Sequence, residues 1–342
     1  MDLYILHAGI SHPSPYFHNL GLELKKYPEI NIIINPELPR SKPNNRGVIY
    51  FNRLKRFYDS KDRKTANEFL KKIDDLKLMG WKIVWSIHGF FPNDREITKI
   101  DDYLVKEFID KCDLLFTLSD YLKNSIMKNY GKNAINHSMG INVLNGYFDR
   151  NVINLDEVPS DAILFSFVGN IYAYKLLDVI IGKFNKLKNN KKIYLLIAGP
   201  KVHNQKVILN IDNPNIILKE GFIGDTSWDI IAKRTDCFIC LYDLNIPAYK
   251  YGVYPSNIVK LQSLRKVCIT ANNPMITELA DDNALLTYEF PNNDDFNEKI
   301  DYVIDNLEDI KEREKRIIPK DYNWEKTAKI IVEGLRSLYE KQ

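Results

Sequence analysis

The sequence predicts an α/β protein of two doubly wound domains, each a parallel sheet covered by helices. Three observations predict it. The chain has 342 residues, the length of two domains. Short apolar runs alternate with amphipathic segments over most of that length, the pattern of β-α units. The alternation fades over residues 140–160, where Asn145, Gly146, Asp149, Asp156, Pro159 and Ser160 gather, and then resumes. The expected domains are therefore residues 1–150 and 151–322, followed by a terminal helix at 323–342.

In the first domain, strands are expected at 3–6, 30–34, 48–51, 82–87, 114–118 and 135–138. Each is a short apolar run bounded by polar or glycine residues. Helices are expected at 15–27, 64–79, 101–111 and 120–130. The second of these places Ala66, Phe69, Leu70, Ile73 and Leu76 on one face and stops at Gly80. Ser119 and Asp120 open the last, and Gly131 ends it. The second domain repeats the plan. Strands are expected at 162–167, 192–198, 216–220, 237–241, 267–270 and 284–288. Helices are expected at 177–188, 228–232, 256–264 and 274–281, and helical segments at 295–316 and 323–341 close the chain.

Composition excludes several classes. Hydrophobic content of 45% and charged content of 27% are those of an ordinary globular protein. A net charge of +3 is too mild to argue for nucleic acid. The surplus is uneven: residues 1–150 hold 23 Lys and Arg against 18 Asp and Glu, and the remainder 25 against 27. No apolar run reaches the 18 residues a transmembrane helix needs, and Met1-Asp2-Leu3-Tyr4 reads as a first strand rather than a leader. The four cysteines are Cys112, Cys237, Cys240 and Cys268. Cys237 and Cys240 lie three apart in a strand pattern, so they point to opposite faces and share no metal. Free buried thiols and a cytoplasmic location are expected.

The strand-end loops carry the candidate chemistry, since ligands of open α/β sheets bind at the carboxyl ends of strands. Val168-Gly169-Asn170 and Lys175 follow the first strand of the second domain; Gly169 allows a close turn and Lys175 supplies a point charge for phosphate. Gly199-Pro200 and Gly221-Phe222 end the next two strands, where a base or ribose can lie. Tyr254-Pro255-Ser256-Asn257 opens a helix that also carries Lys260. Pro255 suits a helix entry, Ser256 or Asn257 can cap it, and the first free N–H groups attract an anion. In the first domain His88 follows a strand directly, and Asp94 is a general base or a helix cap. Gly9, Ser11 and Tyr16 shape a polar pocket after the first strand. No His/Cys/Asp/Glu set has metal-ligand spacing, so no metal is expected. Arg53, Lys55, Arg56, Lys61, Arg63 and Lys64 interleave with Tyr50, Phe51, Phe57 and Tyr58, a composition that suits an anionic membrane surface or a solvated face.

Taken in order, these pieces resemble a GT-B-fold glycosyltransferase, most closely the family 4 retaining group. Gly169 to Lys175 is similar to that family's phosphate loop. Leu195-Leu196-Ile197-Ala198-Gly199-Pro200 resembles the strand before its base pocket, and Gly221-Phe222-Ile223 its base-stacking loop. Pro255-Ser256-Asn257 through Arg265-Lys266-Val267-Cys268-Ile269 resembles its Pro-Ser-Lys…Gly-Lys-Pro-Val-Ile segment. His88 falls where the family places a histidine near the donor sugar, and Asn323-Trp324 resembles the start of the helix that returns to the first domain. The chain departs from the pattern at Gly252 and Lys260, where the family often has two glutamates, and at Asn170 and Leu176, where it has Arg and Gly.

The resemblance implies two Rossmann-like domains facing a cleft. The second domain would bind a nucleoside-diphosphate sugar through Gly169, Asn170, Lys175, Gly199, Pro200, Gly221, Phe222, Tyr254, Pro255, Ser256, Asn257 and Lys260. The first would present a glycan or lipid-linked acceptor near Gly9, Ser11 and Tyr16, with His88 and Asp94 as candidate catalytic residues. Transfer without a metal or other cofactor is expected, at the inner face of a membrane. Retention and inversion both remain open, as do a sugar-nucleotide epimerase and a non-catalytic subunit of the same fold.

Overall fold

A computed structural model describes the chain apart from residues 7–14, 53, 55–56, 89–96, 141–151, 173–174, 189–191, 202–208, 247–248, 250–254 and 341–342, and the side chains of 15–18 and 225. The chain divides into two units, Met1–Asn142 with Asp321–Gln342, and Val143–Lys250 with Pro255–Lys320.

The N-terminal unit runs β1 (Asp2–Leu6), α1 (Pro15–Leu24), β2 (Asn31–Asn35), β3 (Gly47–Phe51), α2 (Arg63–Leu78), β4 (Trp81–Ile87), α3 (Lys99–Lys111), β5 (Leu114–Thr117), α4 (Asp120–Tyr130) and β6 (Ile135–Asn136). All strands are parallel, in the order β2-β1-β3-β4-β5-β6. The helices start where side chains satisfy their first N–H groups. Asp62 accepts from Lys64, Thr98 and Asp101 form a capping box, and Ser119 accepts from Leu122. Gly131, at φ 64°, ends α4. Successive strand residues feed opposite cores because side chains alternate across the sheet. Tyr4, Leu6, Ile49, Phe51 and Trp85 pack against residues of α2 and α3, such as Phe69 and Phe108. Leu3, Ile5, Val48, Tyr50 and Val84 pack into the core of the other face.

The C-terminal unit runs β7 (Ile163–Val168), α5 (Leu177–Lys186), β8 (Ile193–Gly199), β9 (Ile216–Glu220), α6 (Asp225–Arg234), β10 (Cys237–Cys240), α7 (Ser256–Ser263), β11 (Cys268–Ala271), α8 (Pro274–Leu279), a 3-10 turn at Asp282–Ala284, β12 (Leu285–Tyr288), α9 (Asn293–Asp305) and α10 (Leu307–Arg316). The expected helical stretch 295–316 is two helices, broken at Asn306, whose φ of −130° and ψ of 43° leave the helical region. The parallel order is β12-β11-β10-β7-β8-β9. This is the Rossmann order, and it reverses between β7 and β10, the switch point where such sheets take ligands. The four cysteines are free; Cys237 joins the core of one face with Ile239 and Leu241, and Cys240 lies on the other.

Close backbone contact stacks the strand-end loops. Gly169 N–H donates to Ala198 O at 2.9 Å, Ile171 N–H to Pro200 O at 3.0 Å and Gly221 N–H to Gly199 O at 3.1 Å. A Cβ on Gly199 would meet the Gly169 carbonyl oxygen at 1.8 Å, and the φ of Gly199 is +154°, so only glycine fits.

The last helix, α11 (Trp324–Glu340), belongs to the N-terminal unit. Its Trp324, Ala328, Ile331, Val332 and Leu335 cover the β1-β3-β4 face opposite α2 and α3. Ile331, Val332 and Leu335 each contribute about 1.5–3 kcal/mol by their burial. Gly334 admits the ring of Phe116 on β5, since a Cβ there would come within 2.7 Å of Phe116 Cζ. Polar ties fix the register. Arg336 pairs with Glu29, Tyr339 Oη donates to Gly47 O at 2.9 Å and Thr327 Oγ1 donates to Ser138 O at 3.1 Å. Ser138 O also takes a 2.7 Å bond from His137 Nδ1, so that nitrogen holds the proton and Nε2 accepts from Ser86 Oγ at 3.0 Å. Burial lowers the pKa of His137 to about 4 and keeps the ring neutral. Among the described residues no helix is long and apolar enough to cross a membrane.

Two outcomes are expected. Gly199→Ala destabilises the protein by at least about 2 kcal/mol in urea unfolding, through overpacking and backbone strain. The unfolded chain binds a proton on His137 near pH 6.5 and the folded chain only near pH 4. Stability therefore falls as pH drops through that window, by about 3 kcal/mol from this residue alone. Denaturant curves from pH 7 to pH 4 check this, with His137→Gln showing a shallower acid limb than the wild type.

Candidate functional site

The sequence candidates of the C-terminal unit converge on the switch point. Gly169 ends β7 and turns with φ +146°. Asn170 is exposed beside it, its Nδ2 3.4 Å from Tyr172 Oη. Lys175 stands just before α5, and Leu176, the residue that caps α5, takes the left-handed conformation at φ 52° and ψ 38°. That conformation costs a non-glycine residue about 1–2 kcal/mol, which gives a physical reason for a glycine at this place in similar loops.

Lys175 Nζ does not reach a carboxylate among the described residues. It lies 3.6 Å from the ring centroid of Tyr242, just beyond β10, and 5.8 Å from that of Tyr249. Desolvation lowers its pKa to about 8, partly opposed by negative charge on the neighbouring Cys240. The ammonium thus bridges the loops that follow β7 and β10, on either side of the point where the sheet order reverses.

Helix α7 begins at Pro255, Ser256 and Asn257, as the sequence expects, but capping differs. Neither Ser256 nor Asn257 caps it; Pro255 holds the cap position with no side-chain bond. The Asn257 amide instead donates to Val168 O at 2.8 Å, and its nitrogen lies 2.9 Å from where a Gly169 Cβ would be. Asn257 therefore ties the start of α7 to the end of β7. The physical reason is competition: the amide reaches a strand-end carbonyl distant in sequence, which a local reading of a cap cannot weigh. The N–H groups of Ser256 and Asn257 meet no acceptor among the described residues, so the positive end of the helix dipole stays available beside Gly169. Lys260 lies one turn on, its Nζ 4.7 Å from the Trp228 ring centroid.

The other two glycine loops stack on the first. Gly199 ends β8 and Pro200 follows it, and Gly221, at φ +136°, follows β9. Phe222 beside it is a large hydrophobic residue that is 56% exposed. Lys201 pairs with Glu220 at 3.6 Å along this rim. Tyr254 lies outside the described residues.

In the N-terminal unit His88 directly follows β4, with Nδ1 3.5 Å from the amide of Asn52, which follows β3. Gly9, Ser11 and Asp94 lie outside the described residues, as do Arg53, Lys55 and Arg56; Tyr16 lies in α1, with its side chain outside them. Arg63 stacks over the Tyr103 ring at 4.2 Å. Among the described residues no group of three or more His, Cys, Asp or Glu side chains is placed to hold a metal ion. Sequence reasoning missed Tyr242, Tyr249 and Asn52. Tyr242 does carry a signal, since it ends the run Cys237-Phe238-Ile239-Cys240-Leu241-Tyr242 at the ligand end of a strand.

Comparison with known proteins agrees with this arrangement. Residues 153–324 match the family of glycosyl transferases group 1. No curated protein sequence matches the chain. Among solved structures it is similar to a glycosyltransferase from Rickettsia africae ESF-5, with a TM-score of 0.66 and 14% identity over 100% of this chain and 99% of that one. HepE of Anabaena, in complex with UDP and glucose, gives 0.68 and 10% over 98% and 100%. WaaG, a glycosyltransferase involved in lipopolysaccharide biosynthesis, gives 0.64 and 12% over 97% and 99%. These likenesses are of fold and show the GT-B architecture of two Rossmann-like domains. With the family match spanning the unit that holds Gly169, Lys175 and α7, the chain belongs to the glycosyl transferases group 1 family and is a glycosyltransferase.

Proposed function

We propose that this glycosyltransferase is a retaining, metal-independent enzyme that takes its sugar from a nucleoside-diphosphate sugar held at the β7/β10 end of the C-terminal unit. The observation that carries this reading is Lys175: an ammonium without a carboxylate partner among the described residues, set at the switch point beside the open N-terminus of α7. A diphosphate supplies the missing negative charge. Structural neighbours in complex with UDP and with UDP-glucose support the donor class. Phe222 then offers its exposed face to the base, Gly199, Pro200 and Gly221 let it approach the backbone, and Tyr254, Pro255, Asn170 and Lys260 complete the donor side.

In the proposed step an acceptor hydroxyl attacks the anomeric carbon from the face that the diphosphate leaves. The bond from that carbon to the phosphate oxygen breaks, its electron pair goes to the diphosphate, and the acceptor proton passes to a phosphate oxygen. Lys175, Lys260 and the α7 dipole stabilise the growing negative charge, the role a metal ion would otherwise fill. His88 holds a sugar hydroxyl of the donor. An inverting reaction would instead need a base such as Asp94, and the anomeric configuration of the product, read by NMR, decides between them. The acceptor is a glycan or a lipid-linked intermediate near Gly9, Ser11 and Tyr16, and the basic surplus of residues 1–150 brings the enzyme to the cytoplasmic face of an anionic membrane. The neighbour named for lipopolysaccharide biosynthesis supports that acceptor class.

Lys175→Ala should weaken nucleoside-diphosphate binding roughly tenfold, since a charge-assisted contact is worth about 1.5–3 kcal/mol. In the wild type the attraction is fully present below about pH 8, where Lys175 is charged. It is lost as pH rises above that value, so calorimetric titrations at pH 7 and pH 9.5 show weaker binding at the higher pH in the wild type and no such drop in Lys175→Ala. Unchanged affinity in the variant rejects the site. For His88→Ala, kcat should fall far more than donor affinity; normal turnover with a lowered melting temperature makes His88 structural.

A further inference from the structure

The Lys175 ammonium is held in an unusual way. A buried or half-buried lysine is ordinarily matched by a carboxylate, because withdrawing a charge from water is costly without compensation. Here the groups facing Nζ are two phenol rings and the Cys240 thiol, and no described carboxylate reaches it. Tyr242 and Tyr249 are each only 6% exposed, and their rings lie 5.0 Å apart at 38°. The arrangement is anchored on both sides. Tyr242 continues directly from β10. The carbonyl of Tyr249 accepts from Asn273 Nδ2 at 3.1 Å, and Asn273 caps α8 through Met275 N–H. A ring face attracts a cation through its quadrupole but carries no net charge to neutralise it. A carboxylate at this place would fix the lysine equally well and cancel the charge that an anion is to meet.

We propose that Tyr242 and Tyr249 are positioning residues of the anion site, their rings holding the Lys175 ammonium at the β7/β10 switch point while leaving its charge uncompensated for a diphosphate. The proposal rests on reading Lys175 as the diphosphate-binding lysine. Burial lowers the lysine pKa to about 8, which agrees with a cation sheltered from water that reaches no described carboxylate. A lysine this long has several rotamers, and the ring cradle selects one.

The test is a double-mutant cycle read by calorimetry at pH 7.5. UDP, GDP, ADP and dTDP are titrated into the whole wild-type chain, and the tightest binder is used throughout. Lys175→Ala, Tyr242→Leu, Tyr242→Phe and the Lys175→Ala/Tyr242→Leu pair are then compared. Tyr242→Leu removes the ring and is expected to weaken binding at least about threefold, while Tyr242→Phe keeps the ring and binds as the wild type does. In the Lys175→Ala background Tyr242→Leu is expected to cost nothing further, because the ring acts through the ammonium. A Tyr242 role in general stability, or direct stacking on the ligand, gives the same loss in both backgrounds and overturns the proposal. So does a Tyr242→Leu protein that binds as tightly as the wild type. If Lys175→Ala itself leaves affinity unchanged, or none of the four nucleotides binds, the reading of the site fails and the proposal with it; if Lys175→Ala weakens binding and Tyr242→Leu does not, only the positioning role falls. Should Tyr242→Leu not fold, Tyr249→Leu is put through the same cycle, with the same outcomes.

Discussion

The chemistry-bearing end of the C-terminal unit depends on one contact between two backbones. Gly199 sits so close to the Gly169 carbonyl that a single methyl group would occupy the space of that oxygen. This approach lets the loops after β7 and β8 stack, with Gly221 adding the loop after β9. Once Gly169 is pinned, Val168 O is presented to Asn257, and the start of α7 is drawn to the end of β7. Lys175 leaves the same loop on the other side and spans to Tyr242. The positions of a helix terminus, a lysine and three glycine turns thus follow from a steric condition that no other residue type satisfies.

The N-terminal unit solves a different problem. Its sheet has two apolar faces, and the residues that alternate along β1, β3 and β4 divide between them. Local helices α2 and α3 cover one face. The other is covered by α1 together with α11, a helix that arrives only after the whole C-terminal unit has been traced. On that face Ser86, His137, Ser138 and Thr327 form one chain of bonds from β4 to the last helix.

Much of the architecture was legible in sequence, for a reason that is local. Parallel strands buried on both sides read as apolar runs, and the helices between them announce themselves through spacing such as Ala66, Phe69, Leu70, Ile73 and Leu76 and through a cap such as Ser119. The strand-end glycines were legible too, since Gly169, Gly199 and Gly221 each close a strand pattern. What stayed hidden is set by partners distant in sequence. Nothing near Asn257 says that Val168 O competes for its amide, so a cap was expected where a tether exists. Nothing near Lys175 says that its neighbours are Tyr242 and Tyr249, because that depends on β10 pairing with β7. His137 passed as part of a short strand; its meaning comes from Ser86 and the last helix.

The interleaved path of the chain also orders events during synthesis. Residues 1–142 emerge first, yet the face formed by Leu3, Ile5, Val48, Tyr50 and Val84 stays uncovered by α11 until residues 324–340 are made. The C-terminal unit, by contrast, has its full set of strands and helices before then. A ribosome making this protein therefore releases the later unit ready to fold while the earlier one waits with an open apolar surface, and that interval is when the nascent chain is most exposed to aggregation and most in need of a chaperone.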